Sequence, residues 1–314
     1  MVSLEEVLAA REAAAGRLHR TPLFRSRTLG EHTGANVHLK AELFQKTGSF
    51  KPRGVLANLA ALTPEQRERG VISISAGNHA QALAWGAAAE GLDALLVMWH
   101  GASEAKIAAT RGYGATVDLE SRDPAEAFAR LADLEAESGR TLVHPFDHPL
   151  TIAGQGTVGL EVVEDLPETT TLIVPVGGGG LISGIAVAAQ GRRVVGVEPE
   201  LSPAMYDALA AGVPVPVEPR SIADGLAAPF AGTHGLEICR ELVEGIVLVS
   251  ETELEDAFRF LYARAKLACE PAGAAAVAAL LGGKVALEPG ETAVAIVSGG
   301  NVATQTAVAI LGKP

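Results

Sequence analysis

Four short segments combine residue types that could do chemistry. In Gly48-Ser-Phe-Lys-Pro-Arg-Gly54 a lysine stands directly before a proline suited to the first turn of a helix, so Lys51 falls near the N-cap. A helix N-terminus disfavours the ammonium, and a neutral amine there could form a Schiff base with a carbonyl cofactor. Taken alone, Lys51 is more simply read as a solvated surface lysine. Gly177 to Gly180 follow the apolar run Thr171–Val176 and precede Leu181, so four amides without side chains converge on a helix start. Such a turn cradles an anion. No lysine follows the glycines, which argues against a nucleoside-triphosphate loop, and a monophosphate fits better. A dinucleotide site is the rival, because Glu198 ends the next strand about 20 residues on and could hold a ribose hydroxyl. Its third glycine is missing, however, since that position falls on Ile182 or Ser183. A merely tight turn is the third alternative, though four glycines carry an entropic cost that an ordinary turn does not need. Ser75-Ala-Gly-Asn-His79 opens another helix with N–H groups, a hydroxyl and an amide that can hold a carboxylate; alone, it reads more simply as a Ser/Asn cap. Ser298-Gly-Gly-Asn301 closes the last apolar run, and its hydroxyl could meet a ring nitrogen without adding charge.

The strands and helices that carry these loops show as a rhythm in the sequence. Strand-length apolar runs alternate with Ala-rich helical stretches: Val71–Ser75 then Ala80–Glu90, Ala94–Met98 then Glu104–Arg111, Leu172–Val176 then Leu181–Ala189. Later strands are expected at Arg193–Val197, Ile246–Val249 and Ala293–Val297. Parallel βαβ units follow, and the fold class is α/β, doubly wound, with the Gly-rich turns at strand carboxyl ends where ligands bind. There is no linker and no repeat of fixed period, so a second domain must be an insertion, with the turn-rich Leu142–Leu150 stretch a candidate boundary. The 314 residues are 48% hydrophobic and 20% charged, a globular composition. A formal charge of −12 without a Lys/Arg cluster argues against a nucleic-acid partner. The longest apolar runs, Ala82–Ala89 and Ala272–Leu281, fall well short of the ~20 residues that span a bilayer, so no membrane segment is expected. The N-terminus lacks a basic region followed by a long apolar one, and cytoplasmic residence is expected. Cys239 and Cys269 form no CxxC pair and read as free, buried thiols. No HExxH occurs, and Pro145 and Pro149 keep His144 and His148 from one helix face, so a transition-metal site is set aside.

Taken in order, His19-Arg-Thr-Pro22, Lys40 to Gly54, Ser75 to Gln81, His144-Pro-Phe-Asp147, Ala153-Gly-Gln-Gly-Thr157, Gly177 to Leu181, Ala223-Asp-Gly225, Glu270-Pro271 and Ser298 to Asn301 cover most of the chain. Together they resemble the fold-type II pyridoxal phosphate enzymes, tryptophan synthase beta-like in fold, and within them the serine/threonine dehydratases (threonine ammonia-lyases), a group that includes serine racemases. The resemblance implies a large cofactor-binding domain from residues 1–64 plus 148–314, and a small domain, 65–147, inserted and closing over the active site. It implies that Lys51 holds the cofactor as a Schiff base, Phe50 packs on its ring and Asn78 contacts its phenolic oxygen. Gly177, Gly178, Gly179, Gly180 and Leu181 would hold the phosphate, and Ser298 would meet the pyridine nitrogen. Ser75, Ala76, Gly77, Asn78 and His79 would bind the substrate carboxylate, largely through backbone amides.

The implied reaction is elimination. Lys51 removes the Cα proton, the cofactor takes up the electrons, and the β-hydroxyl leaves. L-Threonine would yield 2-oxobutanoate and ammonia, and L-serine pyruvate and ammonia; 3-hydroxyaspartate, another β-hydroxy amino acid or serine racemisation are the alternatives, and an NAD-binding oxidoreductase a remote one. Ala76 stands where the racemases place a proton-exchanging serine, which argues against racemisation. The synthases that make cysteine by β-replacement carry Thr-Ser-Gly-Asn-Thr where this chain has Ser-Ala-Gly-Asn-His, so elimination is favoured. The divalent-cation position of the group reads Glu198, Ser202, Ala204 here, one carboxylate short, so no metal is expected and Glu198 is a weak remnant. The chain ends at Pro314, 13 residues after Asn301, and no C-terminal regulatory domain is expected. A homodimer is usual in the group and is expected here.

Overall fold

Among the described residues the chain forms ten strands in two separate sheets. The computed structural model describes residues 1–313, and its strands are β1 (Leu23–Arg25), β2 (Asn36–Ala41), β3 (Val71–Ile74), β4 (Ala94–Trp99), β5 (Thr116–Ser121), β6 (Thr141–Leu142), β7 (Thr171–Pro175), β8 (Arg193–Pro199), β9 (Gly245–Val249) and β10 (Thr292–Val297). The six strands expected from continuous apolar runs are all present. The other four lacked that signal: β1 and β6 are two or three residues long, and β2 and β5 alternate polar with apolar side chains.

Strand order decides where ligands can bind. The larger sheet runs β1-β2-β10-β7-β8-β9, with β1 antiparallel to β2 at one edge and every other pairing parallel. The antiparallel edge departs from the uniformly parallel rhythm of the sequence. In this sheet the chain winds outward from β7 through β8 to β9, then returns to lay β10 on the other side of β7. The smaller sheet, β5-β4-β3-β6, is parallel throughout and repeats the device: β3, β4 and β5 run outward, and β6 returns to the far side of β3. Each sheet therefore has a topological switch point, between β7 and β10 in one and between β3 and β6 in the other, where adjacent loops part and open a crevice.

The helices are packed tightly enough to bring the two crevices together. The helices Pro52–Ala60 and Pro149–Asp165 cross with their backbones in contact, since a Cβ added at Gly154 would lie 2.5 Å from both the Arg53 carbonyl oxygen and the Gly54 Cα. Beneath the larger sheet the Ala-rich helix Pro271–Leu281 is buried on every side, its small side chains fitting the close-packed interior. Cys239 and Cys269 are free and buried, and burial pushes both thiols up to about 12, which disfavours the thiolate. Among the described residues, no helix is long and apolar enough to cross a membrane.

Candidate active site

One cavity of about 460 Å³ opens where the two switch points face each other. It is lined by the loop after β3 (Ser75, Ala76, Gly77, Asn78, His79), the loop after β6 (Pro145, Phe146), the loop after β7 (Gly177 to Gly180, then Leu181) and Ser298 after β10. Phe50 and Lys51 complete it at the start of the helix Pro52–Ala60. The geometry thus gathers every residue expected to bind cofactor or substrate; only Glu198 lies outside.

Lys51 is the N-cap residue with Pro52 at the first helical position, as its sequence predicts. Its half-buried side chain sends Nζ to the Pro145 carbonyl oxygen at 2.9 Å and lies 5.1 Å from the centre of the Phe50 ring. Burial lowers its pKa from 10.5 to about 8, with the nearby Glu270 carboxyl partly opposing the shift. An appreciable neutral fraction near neutral pH is what a Schiff-base nucleophile and a base at carbon both require.

The lysine is held in place from below. Arg53 is buried and donates from Nε and Nη2 to the two Glu42 oxygens, each at 2.8 Å, and from Nη1 to Glu161 at 2.7 Å. Lys40 donates to the second Glu161 oxygen at 2.5 Å and to the Thr21 carbonyl at 2.8 Å. Two cations and two carboxylates balance, and together they bolt the first turn after Lys51 to β2 and to the helix Pro149–Asp165. Strain is present too: Thr47 adopts a positive φ of 58°, and the adjoining segment is tied to the loop after β10 by Phe50 N–H to the Ser298 carbonyl at 3.2 Å.

The glycine loop is built for a group with no room to spare. Gly179 has φ of +97°, and the helix Gly180–Ala188 begins without a side-chain cap. A Cβ on Gly178 would lie 2.3 Å from the Phe146 ring, and one on Gly180 would lie 2.7 Å from the Phe146 carbonyl oxygen. The N–H groups of Gly180 and Leu181 donate to no backbone acceptor among the described residues. Uncapped amides, a helix N-terminus and close backbone approach suit a phosphate. On the facing side, the helix Asn78–Ala89 also starts without a side-chain cap; Ser75 Oγ instead accepts from the Gly77 N–H at 3.1 Å. The simple Ser/Asn cap is therefore not what the loop forms, and its first-turn amides remain available to a carboxylate.

His79 sits at this loop, yet its ring points into the protein. Nε2 lies 3.0 Å from the Val143 carbonyl oxygen and 3.1 Å from Ser73 Oγ, stitching β3 to the segment after β6. Because a carbonyl only accepts, Nε2 carries the hydrogen. Burial, then the charge of Lys51, lowers its pKa to about 3, so the ring is neutral. Glu198 is also buried, and both oxygens accept backbone N–H groups, from Met205 and Tyr206, at 2.8 Å each. It caps the start of the helix Ala204–Ala211, and burial pushes its pKa up to about 8. No group of three or more candidate metal ligands occurs among the described residues.

Several lining groups carried no assigned role in the sequence. Glu270 is buried beside Asn78, to which its Oε1 is bonded at 2.6 Å. Pro145 contributes only a carbonyl, for which no side-chain signal exists. At the mouth, Lys106 pairs with Asp224, and the Phe128 and Phe230 rings meet at 5.8 Å, so the smaller sheet's helices touch the larger unit across the opening. A lysine amine, an amide cradle for phosphate, a hydroxyl at Ser298 and an aromatic face at Phe50 fit pyridoxal phosphate group by group.

Comparison with known proteins agrees. The family described as "Pyridoxal-phosphate dependent enzyme" matches residues 15–299. The chain is 42% identical over 318 residues to the L-threonine ammonia-lyase of Thermotoga maritima, an alignment covering 100% of this chain and 79% of that protein. Its structure is similar to that of the threonine deaminase of T.th., with a TM-score of 0.90, 40% identity and coverage of 96% of this chain and 99% of that one. It is similar also to maize serine racemase, with a TM-score of 0.93, 35% identity and coverage of 97% and 95%.

Proposed function

The chain belongs to the pyridoxal-phosphate dependent enzyme family, and from that premise we propose that it is a dehydratase, an ammonia-lyase that converts L-threonine to 2-oxobutanoate and ammonia and L-serine to pyruvate and ammonia. The observation that carries this is the meeting of Lys51, the glycine loop and Ser298 at the two switch points. When bound, the cofactor supplies an electron sink for the carbanion that forms at the substrate Cα. Lys51 would hold it, with the amides of Gly177 to Leu181 on its phosphate, Ser298 at its ring nitrogen and Phe50 on its ring. The first-turn amides of the Ser75–His79 loop bind the substrate carboxylate and so orient the Cα–H bond. Once the substrate amine has taken its place, Lys51 Nζ is a free amine and would take the Cα proton, so that this proton and the β-hydroxyl are lost together as water. Phe128, Phe146 and Phe230 form an apolar wall that excludes water as the smaller unit, residues 65–147, closes on the larger.

The threonine ammonia-lyase and threonine deaminase relatives favour threonine. Ala76 has no proton to exchange on the opposite face of the substrate, which disfavours racemisation despite the likeness to a serine racemase. A cytoplasmic homodimer completes the proposal. The test is an absorbance spectrum of the purified protein with pyridoxal phosphate, then 2-oxo acid formation from L-threonine, L-serine and L-threo-3-hydroxyaspartate. A visible band that requires Lys51, with oxo acid and no racemised substrate, supports the dehydratase; relative kcat/KM values name the substrate. A protein that stays colourless overturns the assignment, and D-serine formed without oxo acid replaces it with a racemase.

A further inference from the structure

Two carboxylates line the cavity, and no step above uses either. Asp224 lies open to solvent, with 59% of its side chain exposed, whereas Glu270 is sealed within the protein. Glu270 occupies the N-cap position of the helix Pro271–Leu281 but its side chain does not cap it. Oε1 accepts the Asn78 Nδ2–H at 2.6 Å, and Oε2 is buried without a partner. A half-satisfied buried carboxyl is expensive, and packing alone gives no reason for it.

The hydrogen bonds around it have a direction. The Thr47 carbonyl can only accept, and it takes the Asn301 Nδ2–H at 2.7 Å. The same nitrogen gives its other hydrogen to Asn78 Oδ1 at 2.9 Å. Asn78 must then turn its nitrogen away from Asn301 and toward Glu270, which leaves one N–H for the cavity that Asn78 lines. Gly299 makes room for this arrangement, since a Cβ there would lie 2.3 Å from Glu270 Oε1.

We propose that Glu270 is a positioning residue which, through Asn78, aims an amide donor rather than an amide oxygen at the ring oxygen of the cofactor. The inference rests on pyridoxal phosphate occupying the cavity as proposed above. Burial, and then Asp224, push the Glu270 carboxyl up to about 7, while Lys106 and Lys51 oppose them. Either protonation state leaves Oε1 an acceptor for Asn78 when the proton resides on Oε2, so the aim survives through neutral pH.

The test measures pyridoxal phosphate affinity and the position of the visible band, in the absence of substrate, for wild type, Asn78→Ala, Glu270→Leu, their double variant and Glu270→Gln. Loss of one hydrogen bond to a charged oxygen predicts about tenfold weaker binding in Asn78→Ala and Glu270→Leu alike. Because one residue acts through the other, the double variant binds no more weakly than Asn78→Ala. Glu270→Gln keeps an acceptor and stays within about threefold of wild type. Wild-type binding by Glu270→Leu, or losses that multiply in the double variant, overturns the inference. If Glu270→Leu does not fold by circular dichroism, Glu270→Ala, which also removes the acceptor for Asn78, takes its place with the same expectations and the same refutation. A wild-type protein that develops no visible band refutes the cofactor site itself, a different failure.

Discussion

Cofactor-free protein should capture pyridoxal phosphate with a pH midpoint near 8, set by Lys51. Schiff-base formation needs the neutral amine, and burial brings this one from 10.5 to about 8. At pH 7 a group of pKa 8 is neutral in about one molecule in ten, and an ordinary lysine in about three in ten thousand, a ratio of roughly 300. The assay is stopped-flow growth of the visible band between pH 6.5 and 10, divided by the rate for a small lysine derivative so that the cofactor's own titrations cancel. The expected ratio is on the order of 100 or more at neutral pH and falls as pH rises past 8; Lys51→Ala gives no band. A midpoint above about 9.5, within reach of an ordinary lysine, would show that desolvation does not tune this amine. Stability gives a second reading of the same shift. Between pH 8 and 10.5 the unfolded chain binds a proton that the folded one has lost, so folded stability should rise with pH through that window. The rise from this group is on the order of 3 kcal/mol, fully withheld below pH 8.

Three further outcomes follow from the packing. Arg53→Leu strands the buried Glu42 carboxylate and should cost about 3–5 kcal/mol in denaturant unfolding; a loss under about 1 kcal/mol would mean the cluster relaxes and holds nothing. Gly178→Ala drives a methyl into the Phe146 ring and should weaken cofactor binding about tenfold or more, with Phe146→Ala in the same chain restoring most of it. Wild-type affinity for the single variant would show that the close approach is dispensable. His79, with its pKa lowered to about 3, is neutral throughout the working range, so kcat/KM should show no limb from it near pH 6.5. Loss of such a limb in His79→Gln would refute the neutral ring.

Much of the site was legible because its parts are local. A lysine before a proline and four glycines after an apolar run each specify a helix start, through fixed φ and backbone freedom acting over a few residues. The Ser75 loop was legible only in part: its place after β3 was readable, but Ser75 bonds to Gly77 instead of capping the helix. For Glu198 the residue type suggested a ligand, and both oxygens went to amides seven and eight residues onward. Contacts between residues far apart in the chain had no such local signature. Strand adjacency put β10 between β2 and β7, and β6 beside β3, and so aimed four loops at one cavity. In the sequence Glu270 is an acid before a proline; its role depends on Asn78, 192 residues away. The Arg53 cluster likewise reads as scattered charges until Glu161, 108 residues on, closes it. Backbone preference acts between neighbours and is written in them, whereas the compensation of a buried charge or amide depends on which elements burial has already brought side by side.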